Sequence, residues 1–236
     1  MTVRDLSGEL TKDHEMVALR SRRLERLLGG RLEEVTHAQV ASLVGSLVTE
    51  SYDLDFKGEL YGRSDKDKRD LGGDVAAMAN TAGGAILLGV VEDDQARASS
   101  APGVALSDAE VGRIRQIVAS QVSPLPIFDV LQVEDPGQPG YGFIVIAVPR
   151  SPSAPHAVLV NDALRFPKRN GTTTTYLSEP EVAQAYAARL AGIANRINDL
   201  ERCEGEFVAR LDVAQQEDFP IGFEPIGTEV RRYYVG

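Results

Sequence analysis

Hydrophobic and polar positions follow three rhythms along the chain, and each rhythm predicts a kind of element. From Met16 to Leu28 and again from Thr36 to Leu47 the apolar residues recur at helical spacing. The first run stops at Gly29-Gly30, and Thr36 is placed to cap the second. At 54–57 the rhythm changes to two: Leu54 and Phe56 alternate with Asp55 and Lys57, as in a strand with one buried and one polar face. Ser64 to Ala79 returns to helical spacing, with Ser64 as cap and Asp65 and Asp67 in the first turn. Ala85 to Val91 is apolar without a break, the pattern of a strand buried on both faces, and it delivers Glu92-Asp93-Asp94 at its exit. A further helix opens at Ser107-Asp108 and stops at the SPLP sequence of 123–126. Ile127–Val133 and Tyr141–Val148 flank the turn EDPGQPG and predict an antiparallel hairpin. Val158–Val160 and Ala163–Pro167 can form a second one. Ser178 to Ile193 is the last clear helix, with a helical pattern that extends to Phe207, and residues 218–236 read as an irregular or strand-forming end.

These elements predict an α/β fold with α+β character, in which a mixed central sheet is flanked by helices. Three stretches follow: a helical N-terminal segment over 1–47, an α/β domain over 48–192 and a C-terminal extension over 193–236. The chain could be a piece of a longer protein. No stretch approaches the ~20 apolar residues of a membrane span, and MTVRDLSGEL is too polar for a signal peptide, so a cytoplasmic protein without membrane contact is expected. Cys203 is the one cysteine, which rules out an internal disulfide.

The net charge of -10 argues against nucleic-acid binding through overall charge. Basic islands at Arg63-Lys66-Lys68-Arg69 and Arg165-Lys168-Arg169 leave room for a local phosphate site. Strand alternation puts Asp55 and Lys57 on one side, while Glu50, five positions earlier, must reach in from the turn before the strand. Such carboxylates either bind a divalent cation or pair with Lys57, Arg165 or Arg169. Arg169-Asn170-Gly171-Thr172 is a turn by composition, or a phosphate contact if Arg165, Lys168, Arg169 and Thr172 converge. Gly83-Gly84 suits a tight turn, and there is no Walker-type Gly-Lys-Ser/Thr. His156 follows Pro155 as a structural or solvated residue, with base stacking as the alternative.

ESYDLDFK at 50–57, AMANTAGGAILLGVVEDD at 77–94, the SPLP segment, PSAPH at 152–156 and FPKRNGTTTT at 166–175, in this order, resemble the Schlafen-type AlbA_2 domain. The resemblance implies nucleic-acid binding, RNA ahead of DNA, and in Schlafen members a metal-dependent RNase acting on tRNA and rRNA. It places the nuclease carboxylates on Glu50, on Asp55, where Glu is commoner, and on Asp93, as ligands of Mg²⁺ or Mn²⁺, with Lys57 stabilising the scissile phosphate. Arg165, Lys168, Arg169 and Thr172 become nucleic-acid contacts. The ATP-binding label of bacterial relatives has little support in this sequence. The alternative to an endoribonuclease is a non-catalytic DNA-, RNA- or nucleotide-binding regulatory module, or an assembly domain working as a homo-oligomer.

Overall fold

The computed structural model describes residues 21–161 and 163–216. It divides into two compact units, Met1–Arg189 and Leu190–Gly236. In the first, α1 (Arg22–Leu28) is capped by the Ser21 hydroxyl and ends on Gly29 at φ 72°. A short 3-10 turn, Leu32–Glu34, leads to α2 (His37–Gly45), where Thr36 and Gln39 form a reciprocal capping box. Strand β1 (Leu54–Lys57) precedes α3 (Asp65–Asn80), which Ser64 and Asp67 cap in the same way. Next come β2 (Gly83–Leu88), the short strands β3 (Val91–Glu92), β4 (Ala98–Ser100) and β5 (Val104–Ala105), and helix α4 (Asp108–Gln121). The remaining strands are β6 (Val122–Ser123), β7 (Asp129–Asp135), β8 (Gln138–Pro149), β9 (Ala157–Val160), β10 (Ala163–Arg165), β11 (Pro167–Asn170) and β12 (Thr173–Tyr176). Helix α5 (Glu179–Gln216) closes the described chain.

The central sheet is mixed, as expected. β1 runs parallel to β2, β2 pairs antiparallel with β8, and β8 also takes β5 and β7. Period-two alternation divides its side chains between two cores. Leu54, Phe56, Ala85 and Leu87 meet α1 and α2, so the N-terminal helices belong to the same packed unit as the sheet. Ile86 and Leu88 meet Leu71, Val75 and Met78 of α3 on the opposite face, where Ile114 and Val118 of α4 also pack. Asp55 and Lys57 share that α3-facing side. The β7–β8 and β9–β10 hairpins form as read from the sequence.

One expectation fails in a way that matters for the site. The apolar run 85–91 is not a single strand: β2 stops at Leu88, and Gly89 turns the chain at φ 99°. A Cβ at Gly89 would lie 2.8 Å from the Cα of Gly103, so this turn needs glycine for space as well as for conformation. Glu92-Asp93-Asp94 therefore belong to the β3–β4 hairpin, not to the end of a central strand. The last helix is much longer than 178–193. The expectations for Met16–Arg20 and 218–236 lie outside the described residues.

Candidate functional site

The side chains of β1 that face α3 start the site. Asp55 is buried and carries two cations, one on each oxygen: Lys57 Nζ donates to Oδ2 at 2.5 Å and Arg169 Nη1 to Oδ1 at 2.8 Å. Arg169 comes from β11 and is also buried. Its backbone N–H donates to the Thr81 hydroxyl at 2.9 Å, Nη2 reaches the Ser51 carbonyl at 3.2 Å, and Nε has no partner. Glu50 reaches in from the segment ahead of β1, as its spacing requires, and its Oε1 accepts the Phe56 backbone N–H at 2.5 Å. Burial is the main reason why the Glu50 carboxyl is pushed up to about 7; the charges of Asp55 and Glu92 add to it, against the Phe56 hydrogen bond and Lys57.

A further carboxylate joins from α3. Asp74 accepts the Tyr61 hydroxyl at 2.7 Å and is pushed up to about 6, first by burial and then by the Asp55 charge, with Lys57, Tyr61 and Arg169 opposing. The Tyr61 hydroxyl is raised well above its ordinary value by burial and by Asp74. Burial works against the Lys57 charge, but Asp55, Asp74 and Glu50 together lift Lys57 above the ordinary lysine value. The sequence reading missed Asp74. Its signal was a lone acid at the boundary of the apolar half of α3, next to Gly73.

Above this cluster opens a cleft of about 790 Å³ between the exit of β1, α3 and the β11–β12 hairpin, lined among others by Lys57, Tyr61, Arg69, Asp74, Thr174 and Tyr176. Arg69 forms no hydrogen bond or ion pair with a described residue. Tyr176 is 50% exposed and carries the Arg165 guanidinium 5.9 Å over its ring. Asn80 holds the hairpin against α3: its amide group donates to the carbonyls of His156 and Pro167, both at 2.8 Å, and its Oδ1 accepts the His156 N–H at 2.7 Å. Gly84 keeps β2 close to the chain before β1, since a Cβ there would sit 2.6 Å from the Asp53 carbonyl oxygen.

The other expected residues separate. Asp93 does not join Glu50 and Asp55. Its Oδ1 accepts the N–H groups of Gln95 and Arg97, and its Oδ2 accepts the Arg97 guanidinium at 2.7 and 2.9 Å, which holds its carboxyl down to about 2. It is a hairpin-turn residue, displaced by the Gly89 break. The three-carboxylate set Glu50, Asp55 and Asp93 is therefore not assembled, and among the described residues no three His, Cys, Asp or Glu side chains are grouped to hold a metal ion. The donors do not fit Mg²⁺ or Mn²⁺ as arranged, because both Asp55 oxygens already face cations. Lys168 pairs with Glu181 on α5, Arg169 is buried on Asp55, and Thr172 is exposed at the turn, so Arg165, Lys168, Arg169 and Thr172 do not form one basic face. His156 is fully buried with Nδ1 2.6 Å from the Pro124 carbonyl, and burial lowers its proton affinity; it is a core residue, not a stacking one. No described helix is long and apolar enough to cross a membrane.

Among solved structures, the DIP2311 protein from Corynebacterium diphtheriae is 23% identical with a TM-score of 0.43; the match covers 72% of this chain and 29% of that one. The N-terminal domain of an ATP-dependent DNA helicase RecG-related protein from Nitrosomonas europaea is 24% identical with a TM-score of 0.33, over 47% of this chain and 72% of that one. The chain thus spans under a third of the length of the first. No curated protein matches the sequence. The family model described as Schlafen, AlbA_2 matches residues 50–178, more than half of the chain and all of the cleft between β1, α3 and the β11–β12 hairpin, and the protein belongs to the Schlafen AlbA_2 family.

Proposed function

We propose that this domain binds single-stranded nucleic acid, RNA in preference to DNA, by taking one base into the cleft at the exit of β1. The observation that carries the reading is the rim: an exposed Tyr176 with the Arg165 guanidinium over its ring, and Arg69 on the α3 wall, which has no ion-pair partner among the described residues. An exposed aromatic ring beside a guanidinium suits a splayed base and its phosphate, a combination that tolerates many sequences. The volume suits a nucleoside. The acidic interior, which would repel a phosphate, instead supplies acceptors for exocyclic amino groups and for the 2′-hydroxyl that DNA lacks. Membership of the Schlafen AlbA_2 family agrees with a nucleic-acid partner. A nucleotide such as ATP is the competing ligand for the same cleft.

Cleavage of the bound strand is a second reading, favoured by the meeting of Glu50, Asp55, Lys57 and Asp74 beneath the cleft. Two carboxyls that titrate near neutrality beside a lysine suit proton transfer at a 2′-hydroxyl. Labelled tRNA and single-stranded DNA incubated with the purified protein, in Mn²⁺ or in EDTA, test both readings. Salt-sensitive binding that favours RNA is expected. Cleavage that is lost in Asp74→Asn would establish the second reading; absence of binding to either polymer at low salt would refute the first.

A further inference from the structure

The part of α5 in the second unit carries an apolar stripe with a period that a lone helix does not need. Leu190, Ile193, Ile197, Leu200, Glu204 and Phe207 follow each other at alternating steps of three and four residues. The five apolar members are 38–70% exposed. Steps of three and four average 3.5 residues, so on a straight helix of 3.6 residues per turn the stripe drifts by ~20° per heptad. It stays on one side only if the helix supercoils around another of the same period. With Leu190, Ile197 and Glu204 as a positions and Ile193, Leu200 and Phe207 as d positions, Arg196 falls at g and Glu201 at the following e. In a parallel pair these two positions face each other across the seam, giving two symmetric opposite-charge contacts. The charges on the outer face are already used within the helix: Arg202 pairs with Asp199 and Glu206.

We propose that a second copy of this chain packs along the Leu190–Phe207 stripe, forming a parallel two-stranded coiled coil that pairs two cleft-bearing domains. The seam is ~26 Å long at 1.5 Å per residue, short enough for the pairing to depend on concentration. Glu204 is the polar a position that limits its strength, since two carboxylates meet there in a parallel pair. A second copy supplies the matching period and charges by itself, which an unrelated apolar surface would not.

Sedimentation of the full chain over a concentration series tests the pairing. Wild type should shift from one chain mass to two as concentration rises. Ile197→Asp combined with Leu200→Asp should remain a monomer, with the thermal transition of the first unit unchanged, because neither side chain is buried in it. Glu204→Leu should move the dimerisation midpoint to at least tenfold lower concentration. A wild type that stays monomeric up to its solubility limit, or a double Asp variant that still dimerises, overturns the proposal. Orientation is read from Ile193→Cys in a Cys203→Ser background: oxidation should trap a covalent dimer. An antiparallel pair centred between Ile197 and Leu200 would hold those sulfurs ~16 Å apart and leave them unlinked, contradicting the parallel arrangement.

Discussion

At the scale of single residues, the charges under the cleft set the pH behaviour of the fold. The Glu50 carboxyl rises from its ordinary 4.5 to about 7 in the folded protein, so the folded state binds a proton that the unfolded state releases. Its favourable contribution is present below pH 4.5 and is lost as pH rises to about 7, above which ionised Glu50 remains a cost. Glu50→Gln keeps an acceptor for the Phe56 N–H and cannot ionise. The thermal midpoint of the variant should therefore gain on wild type as pH rises through that window; parallel profiles would show that Glu50 does not titrate there. Arg169 and Asp55 behave differently, because each neutralises the other inside the protein. Arg169→Ala leaves Asp55 buried with Lys57 alone and should cost about 3–5 kcal/mol in urea unfolding. Asp93→Ala, by contrast, removes only a hairpin-turn pair, and we expect nucleic-acid binding to stay at the wild-type level in an anisotropy titration.

At the scale of elements, the site depends on how α3 ends. Asn80 and Thr81 tie the last turn of α3 to the His156 loop and to β11, and this tether holds the Tyr176 wall of the cleft. Asn80→Ala removes three hydrogen bonds, at a cost of about 2–3 kcal/mol. Hydrogen exchange should then quicken across 167–176 while β2 and β8 stay protected; unchanged exchange in the hairpin would remove Asn80 from this role. Gly84→Ala drives a methyl group into the Asp53 carbonyl and should destabilise β1–β2 pairing by about 1–3 kcal/mol.

The elements also show what the sequence made legible. Alternation in LDFK placed Asp55 and Lys57 together, and the odd spacing of Glu50 required a reach from outside the strand; both are local patterns that the fold keeps. The break at Gly89 was invisible, because an apolar run reads as one strand unless the approach of Gly103 is known. Pairing of the carboxylates with Lys57 or Arg169 was one of the two fates open in the sequence, and Asp55 takes both cations, Arg169 from 114 positions away. Asp74, which meets Lys57 only when α3 packs on the sheet, was hidden by the same limit as Gly89.

At the scale of the whole molecule, the proposed binding asks an acidic chain to hold a polyanion, so a local cationic and aromatic rim must outweigh a net charge of -10. Binding through a few such contacts has a shallow salt dependence: the logarithm of affinity should fall with the logarithm of salt at ~0.7 for each phosphate engaged, a slope of two or less in magnitude for Arg69 and Arg165. The α5 pairing would add avidity, and its removal should weaken binding to long strands more than to short ones.

The most direct test of the cleft is an anisotropy titration of a short labelled single-stranded RNA at low salt, comparing wild type with Tyr176→Ala, Arg69→Ala and Arg165→Ala, and with Arg202→Ala on the outer face of α5 as the control. Tyr176→Ala should lose about 1–3 kcal/mol of affinity, the worth of one stacked base, with smaller losses for the two arginines and none for the control. Equal affinity in wild type and Tyr176→Ala would contradict a binding mode built on this cleft.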